Sequence, residues 1–448
     1  MHPHQSPPRT TLVAGLALLA ITAGTWPRVL RSQQPPSPAP LTLAAARAAA
    51  RRASPDLRAA REAVAAAARE SQSAALPNPT LAYGREQTSR AGRTNAQDIG
   101  QLEQPLEVGG QRAARRDAAR LRRDAAEARL AAAEAQLDFD VARSYAAAVA
   151  AERRATLAEQ AAGAFTDAER VSDRRLAAGD LSGYAARRLR LEAARYASLR
   201  AEAALARRTT RVALASLLGA QADSLLLPAV LPDSATEAGR SRTLAEASLR
   251  DLALRSRPEL RASALEAAAA AADARLAARE RIPSPTLSAG VKRERVADGG
   301  EGSGATFSGF VAGLSVPLPL FDRRRGAVQA AAAETRRRQA EADALRVRVA
   351  REVDEAAESV RAIDVQLEAL RPQLGDQTRA AMRAVQAAYS EGEITLVEWL
   401  DAVRAYQEAE STYATLLAEA VVRRAALERA IGASLTADGV SGAAAPKD

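Results

Sequence analysis

The hydrophobic pattern over most of the chain has a helical period. It is clearest between residues 349 and 370, where apolar and small residues recur at alternating spacings of four and three. These positions are Val349, Val353, Ala356, Val360, Ile363, Leu367 and Leu370. This spacing predicts a seam along which one long helix packs against a partner helix. The longest uninterrupted helical patterns predict two helices of about 100 Å each.

A second pattern, with a period of two residues, occurs in short segments between the helical ones. In the segment that begins at Thr306, one face would carry Phe310, Ala312, Leu314 and Val316. This alternation predicts a β-strand. Three other segments have a similar length of about ten residues, which suits a tilted strand in a membrane. Soluble hairpins are the alternative for those three, because their alternation is less regular.

The sequence contains an internal repeat, so that its two halves resemble each other. The segment "LPNPTL" (Leu76–Leu81) returns as "IPSPTL" (Ile282–Leu287), and "SPDLRAA" from Ser54 returns as "RPELRAS" from Arg257. A repeat of about 200 residues is far longer than a solenoid unit, so the pattern indicates a duplicated structural unit.

Prolines mark the points where the period changes. A proline ends the helical hydrogen-bond ladder and disfavours helix at the residue before it. Paired prolines are therefore predicted to turn helix into strand, and single prolines to mark the return to helix. The pairs are Pro77 with Pro79 and Pro283 with Pro285, and the single residues are Pro105 and Pro317. Each half is thus predicted to add one β-hairpin to a shared sheet.

The two repeats have the same predicted order of elements. The first spans residues 41–238, with a β-hairpin at about 79–106, a long helix at about 111–178 and a return helix at about 181–218. The second spans residues 239–435, with a β-hairpin at about 285–317, a long helix at about 323–390 and a return helix at about 393–431. The fold class is therefore mainly α, with four β-strands per chain.

Both ends of the chain differ from the repeats. Arg9 precedes an apolar run from Leu12 to Ala23 that ends in small residues, which predicts a cleaved signal peptide at residues 1–23. Residues 24–40 form a proline-rich linker, and residues 436–448 a flexible tail. We therefore expect an exported protein.

Composition excludes several classes of function. The chain has no cysteine, and its two histidines, His2 and His4, lie in the predicted signal peptide. Chemistry that needs a thiolate or a histidine is therefore excluded from the mature chain. We expect no catalytic site, no metal site and no cofactor site, and we do not expect an enzyme. The net charge is +9, but arginines are interleaved with acidic residues along the helices. This pattern predicts a salt-bridged helix surface and no nucleic-acid partner.

Four strands cannot close a barrel, and an open sheet edge in lipid leaves unpaired backbone groups that cost several kcal/mol each. An exported chain with two membrane hairpins is therefore expected to oligomerise. The same assembly would arrange its helices into a ring continuous with the barrel.

The chain resembles the TolC-like outer-membrane efflux proteins. The resemblance covers about Leu41 to Ala433 and rests on "LPNPTL", "QPLEVGGQRAARRDAA", "IPSPTLSAG" and "YSEGEITLVEWLDAVRAYQEAESTY" in this order. It implies a homotrimer with a twelve-stranded barrel in outer-membrane lipid and a long helical tunnel in the periplasm. It also implies docking to a periplasmic adaptor (membrane-fusion) protein and a proton-driven inner-membrane pump. The segment "LEVGGQR" (Leu106–Arg112) resembles the branch that exports heavy-metal cations. The alternative is a periplasmic coiled-coil scaffold or adaptor without a pore.

The same resemblance implies two functional sites. The turns between long and return helices would contact the adaptor. Their residues are Gly179, Asp180, Leu181, Gly392, Glu393 and Ile394. Glu398 and Asp401 match the paired acids at the periplasmic gate of the family, where a trimer would bring six carboxylates together. The alternative is that these acids complement the dipole of a helix N-terminus or lie in solvent.

Overall fold

The computed structural model describes residues 40–72, 76–90, 93–231, 246–297, 304–371 and 376–435. The predicted signal peptide, the linker up to residue 39 and the predicted tail lie outside the described residues. The description that follows concerns the compact unit that begins at Pro40.

The described residues of the first repeat form four α-helices and a β-hairpin. Thr42 caps the first helix by accepting a hydrogen bond from the backbone N–H of Ala45. The elements are α1 (Leu43–Ala53), α2 (Pro55–Gln72), β1 (Thr80–Arg90), β2 (Arg93–Pro105), α3 (Gln111–Ala178) and α4 (Gly183–Leu218).

The second repeat has the same order of elements. The elements are α5 (Glu246–Ser256), α6 (Pro258–Arg279), β3 (Thr286–Ala297), β4 (Gly304–Ser315), α7 (Arg325–Leu370), α8 (Asp376–Glu391) and α9 (Leu396–Ile431). The segment predicted as one helix at about 323–390 is described as two helices, α7 and α8, on either side of residues 372–375.

The four strands form one antiparallel sheet in the order β1-β2-β3-β4. The two hairpins have equivalent registers, because Thr80 lies opposite Glu103 and Thr286 lies opposite Ser315. Strands β2 and β3 join the repeats, with Pro105 opposite Thr286. The predicted fold class, mainly helical with four strands in one sheet, is confirmed.

Short helices lie along the long ones and meet end to end. Helix α3 packs against α2 and α4 of its own repeat, and also against α6 and α9 of the other repeat. Helix α7 packs against α6 and α9. The end of α9 abuts the end of α5, where the Ser256 hydroxyl donates a 2.6 Å hydrogen bond to the carbonyl of Ile431. Helix α3 therefore has shorter helices of both repeats packed along it, whereas the shorter helices along α7 are those of its own repeat.

The predicted seam lies in the core. Val349, Val353, Ile363 and Leu367 are 0–3% exposed, and Val349 and Val353 pack with Leu427 of α9. Alanine fills most remaining contact positions, which lets the helices approach one another closely. The helix surfaces carry many arginine–carboxylate pairs, and the pair between Arg153 of α3 and Glu410 of α9 is largely buried.

Candidate functional site

The strand register brings apolar side chains onto one face of the sheet. On β4 and β3, Phe310 lies opposite Val291, and Leu314 lies opposite Leu287. The face continues across β2 and β1, where Leu102 lies opposite Leu81. Its members are Leu81, Tyr83, Leu102, Leu287, Ala289, Val291, Phe310, Ala312 and Leu314. An apolar face, visible in the sequence only for β4, therefore spans all four strands.

This apolar face is the exposed one. Phe310 is 87% exposed, Leu81 78% and Val291 70%. Large apolar side chains on a water-facing sheet would be covered by another layer, because burying them contributes about 1.5–3 kcal/mol each. Strands of a membrane barrel have the opposite arrangement, with apolar residues outward and polar residues inward.

The other face of the sheet is polar and partly covered. Gln101 donates a 2.7 Å hydrogen bond to Glu103 on the same face of β2. On β3, the Ser288 hydroxyl donates to the carbonyl of Gly313, and Lys292 pairs with Glu294 at 2.9 Å. The polarity of the sheet is therefore that of a barrel wall with a hydrated interior.

The outer strands of the sheet are β1 and β4, and within the described residues each pairs on one side alone. Such edges present unpaired backbone N–H and C=O groups that favour pairing with another strand. The backbone groups at the two outer edges of the sheet can therefore pair with further strands, as they would in a larger sheet.

The predicted junction prolines lie where the chain changes between helix and strand. Pro77 and Pro79 directly precede β1, and Pro105 is the last residue of β2. Pro283 and Pro285 lie between α6 and β3, and Pro317 follows β4. Three of their carbonyls accept hydrogen bonds: Pro77 and Pro105 from the Gln104 side chain at 2.9 and 3.0 Å, and Pro285 from the Leu106 amide at 2.7 Å.

Both turns between long and return helices end the preceding helix in the same way. Gly179 and Gly392 have φ of 83° and 86°, in the left-handed region that glycine adopts without strain. The next amide in each turn closes the helix: Asp180 donates to Arg175 O and Glu393 to Ala388 O, both at 2.9 Å.

The side chains of these two turns differ in exposure. Asp180 and Glu393 are exposed, as the adaptor-docking prediction needs. Leu181 is half-buried, and Ile394 packs partly against the aromatic core beneath its turn. Of the predicted turn residues, the glycines and the two acidic residues are therefore the exposed ones.

Glu398 takes part in the N-terminal cap of α9. The Thr395 amide and hydroxyl donate to Glu398 Oε2 at 2.7 and 2.8 Å, while the Glu398 amide donates to Thr395 Oγ1 at 3.3 Å. These bonds, first from the amide and then from the hydroxyl, lower the pKa of Glu398. Asp401 lies on the same exposed face one turn later. The single chain therefore gives Glu398 the role of a helix-terminal acid and leaves both carboxylates accessible.

An aromatic cluster beneath the turns was not predicted from the sequence. Phe165 stacks on Tyr196 with ring centroids 4.2 Å apart and meets the edge of Trp399 at 4.9 Å. Tyr389 stacks on Trp399 at 5.0 Å. The cluster joins α3, α4, α8 and α9, and Trp399 is fully buried. One feature of the sequence could have predicted this cluster. Aromatic residues make up only 3% of the chain, yet these four belong to the helices that flank the two glycine turns.

Arg175 links the two turns directly. Its Nη2 donates to the carbonyls of Tyr389 and Ser390, both at 3.3 Å, and its guanidinium lies 5.7 Å from the ring centroid of Tyr389. These carbonyls belong to the last turn of α8, where a cation complements the helix dipole. Arg175 of the first repeat thus caps the end of α8 in the second repeat.

Among the described residues, no group of three or more His, Cys, Asp or Glu side chains is arranged to hold a metal ion. No helix in the described ranges is both long enough and apolar enough to cross a bilayer.

Comparison with known proteins agrees with this geometry. Residues 249–433 match the outer membrane efflux protein family. The chain is 27% identical over 372 residues to the cobalt-zinc-cadmium resistance protein CzcC of Cupriavidus metallidurans, covering 81% of this chain and 82% of that protein. It is 28% identical over 292 residues to the nickel-cobalt-cadmium resistance protein NccC of Alcaligenes xylosoxydans xylosoxydans, covering 63% and 62%.

The fold is also that of a solved outer-membrane protein. The structure superposes on VceC of Vibrio cholerae with a TM-score of 0.66 at 19% identity, over 88% of this chain and 96% of that one. The two chains therefore share the arrangement of long helices and strands.

Proposed function

We propose that the chain is a TolC-like outer-membrane efflux protein and forms the channel through which a tripartite efflux system releases its substrates. The observation that carries this proposal is the polarity of the sheet, whose apolar face is exposed and whose opposite face is mostly polar and partly covered. The wall of a membrane channel requires a sheet with one apolar face toward lipid and one polar face toward the pore, whereas a periplasmic scaffold does not.

The working form is a homotrimer in the outer membrane. The described residues of each chain form four strands with two unpaired edges, so three copies would close a barrel of twelve. A predicted signal peptide, residues 1–23, would bring the chain across the inner membrane, and the helices would extend into the periplasm. The apolar face of each sheet would contact outer-membrane lipid.

The turns at Gly179 and Gly392 form the periplasmic end and dock to an adaptor protein, which links the channel to a proton-driven inner-membrane pump. In support, both turns have the same backbone geometry, and Asp180 and Glu393 are exposed. Bulky substitutions at these two acidic positions should impair efflux and leave trimers intact. Normal efflux in such variants would contradict docking at the turns.

The exported substrates are heavy-metal cations. The relatives CzcC and NccC are named for resistance to cobalt, zinc, nickel and cadmium. Within the described residues the chain shows no dedicated metal cluster, so metal selection would belong to the pump. The exposed carboxylates of Glu398 and Asp401 would favour cations at the periplasmic entrance.

Two measurements test this function. Purified protein added to planar bilayers should form cation-preferring channels, and a cell that lacks the gene should become sensitive to zinc, cobalt or cadmium. A protein without conductance that purifies from the aqueous periplasm would be a scaffold and would contradict the proposal. Channel activity with unchanged metal tolerance would contradict the substrate alone.

A further inference from the structure

The exposed face of the sheet changes from apolar to basic along the strands. The strand register sets its residues in rows, and one row consists of Tyr83, Gly100, Val291 and Phe310. The next row, two residues further along each strand, consists of Arg85, Asp98, Arg293 and Ser308. Arg295 follows one row later, opposite Ala96. A row that contains two aromatic residues is therefore followed directly by basic ones.

The basic rows lie toward the end of the sheet that is remote from the helices. The strands join helical segments at their Thr80, Pro105, Thr286 and Ser315 ends. At the other end, Arg90 of β1 lies opposite Arg93 of β2, where the chain turns back. In the proposed channel the helices extend into the periplasm, so the remote end of the sheet points to the outside of the cell.

The apolar band below the basic rows has the height of a membrane. Exposed apolar side chains continue from Phe310 to Leu314 and, beyond β4, to Leu318. The chain from Phe310 to Leu318 can span at most about 26–29 Å, and the apolar band of an outer-membrane barrel is about 25 Å tall. Aromatic residues such as Tyr83 and Phe310 are typical of the border between hydrocarbon and headgroups. The basic rows therefore lie at the level of the outer-leaflet headgroups.

Strand β3 separates its charges by face. On the polar face, Lys292 pairs with Glu294 at 2.9 Å, so the two charges compensate each other. On the exposed face, the alternating residues Arg293 and Arg295 are both basic, and their Cα atoms are about 7 Å apart along the strand. The excess of positive charge on β3 thus belongs to the face that also carries the apolar band.

One carboxylate lies among these arginines, and it already has partners. Asp98 accepts a 2.7 Å hydrogen bond from the Tyr83 hydroxyl and lies 3.8 Å from Nε of Arg85. Arg293 and Arg295 are exposed and have no carboxylate partner within the described residues. Three guanidinium groups around one carboxylate leave a net positive surface that suits an anionic ligand.

We propose that Arg85, Arg293 and Arg295 form a site for the phosphate groups of a glycolipid in the outer leaflet of the outer membrane. A guanidinium group donates paired hydrogen bonds to phosphate oxygens, which makes arginine well suited to this headgroup. The acyl chains of the same molecule would cover the apolar rows around Phe310. This inference rests on the proposed outer-membrane channel and adds a lipid site on its outer wall.

The position of the site favours a glycolipid over a phospholipid. Both classes of lipid carry phosphate, but an outer membrane contains its phosphorylated glycolipid in the outer leaflet and most of its phospholipid in the periplasmic one. The basic rows lie on the outer side of the apolar band. The ligand is therefore the glycolipid whose phosphates lie at this level.

The first test uses the purified wild-type protein in detergent and counts bound lipid by native mass spectrometry. The probes are lipid A with both phosphates, lipid A from which the phosphates have been removed, and phosphatidylglycerol. Lipid A with both phosphates should bind about tenfold more tightly than either of the others, because charge-assisted hydrogen bonds are the stronger kind. Equal binding of the dephosphorylated form, or of phosphatidylglycerol, overturns the site.

Free phosphate is tested as a competitor in the same preparation. Inorganic phosphate should displace no more lipid A than acetate does at the same ionic strength, because both salts screen charge equally. Specific displacement by inorganic phosphate would make the ligand a free anion and would overturn the glycolipid assignment.

Two neighbouring residues of β3 provide matched variants. Arg293→Gln and Lys292→Gln each remove one positive charge, from the exposed face and from the polar face respectively. Arg293→Gln should weaken binding of lipid A about fivefold or more, since it removes a paired donor to phosphate. Lys292→Gln should change binding less than about twofold, because its charge is already compensated by Glu294. Equal effects of the two variants would show that net charge alone attracts the lipid and would overturn the site.

Planar-bilayer recordings separate this inference from the proposed function. Arg293→Gln should conduct as the wild type does, because the site lies on the outer wall of the barrel. Wild-type channels that bind both forms of lipid A equally mean that the site is wrong and that the proposed channel stands. A wild-type chain that forms no channel and purifies from the aqueous periplasm means that both are wrong.

Discussion

Glu398 has a structural task besides the proposed electrostatic one, because its carboxylate caps the helix that carries it. A test of the gate must therefore remove charge without removing the cap. Glutamine at the same position retains an oxygen acceptor and still suits a capping box. Glutamine at position 398 therefore removes the charge and keeps the cap, whereas alanine would remove both.

We predict that Glu398→Gln combined with Asp401→Asn weakens both cation selectivity and block by multivalent cations from the periplasmic side. The physical reason is the loss of six carboxylates from the entrance of a trimer. Planar-bilayer recordings measure both quantities. Thr395→Ala is the control: it should destabilise α9 by about 1 kcal/mol and leave the block intact. An unchanged block in the double variant would remove these residues from the gate.

The lowered pKa of Glu398 also predicts a dependence on acid. The folded-state pKa of Glu398 lies below the ordinary pKa of a glutamate. The ionised carboxylate therefore stabilises the start of α9 fully at any pH above the ordinary pKa. This stabilisation is lost as the pH falls through the lowered, folded-state pKa. The protection factors of the first-turn amides of α9, which are exchange rates corrected for the intrinsic effect of pH, should therefore fall on acidification below about pH 4. Glu398→Gln should lack this component, and an identical acid response in both proteins would contradict the assignment.

At the scale of elements, the contact between the two helical hairpins depends on Arg175. Arg175→Ala removes two hydrogen bonds from a cation to the end of α8, and we expect a local loss of about 1–2 kcal/mol. Amide exchange near Gly392 should rise by about 5- to 30-fold. Arg174→Ala is the matched control, because Arg174 bonds to the carbonyl of Arg170 in its own helix. Equal exchange in both variants would show that the aromatic cluster alone holds the hairpins together.

The two faces of β4 predict opposite responses to the same substitution. Arginine at Ala312, on the apolar face, should cost about 2–4 kcal/mol near the bilayer midplane. Arginine at the adjacent Val311 is the control, because it lies on the polar face opposite Gly290, which leaves room for it. Gly313 is a poorer control, since an added Cβ would lie 2.8 Å from Ser288 Oγ. The yield of assembled protein in the outer membrane measures the difference, and equal yields would contradict the assigned faces.

At the scale of the whole molecule, local chemistry accounts for what the sequence predicts well. The end of α3 at Ala178, before the left-handed Gly179, follows from a residue type with a short-range conformational effect. The seam that includes Val349 and Val353 follows from periodicity over several turns. The duplication supports these predictions independently, because each element is predicted once in each repeat.

What the sequence could not supply is non-local. The apolar face of β1 and β2 is interrupted by Gly100 and becomes visible only when Leu102 is set opposite Leu81 by pairing. The bond from Arg175 to Tyr389 O joins residues 214 positions apart. The packing of α3 against helices of both repeats likewise depends on tertiary geometry that no single segment encodes.

The polar face of β3 has a practical consequence. Lys292 and Lys447 are the only lysines among the basic residues, and Lys292 lies on the partly covered face of the sheet. If that face lines the channel, an amine-reactive dye applied outside the cell can label the sheet only after it has entered the pore. A series of dyes of increasing diameter would then gauge the width of the mouth in living cells, with no engineered residue, from the largest one that still marks Lys292.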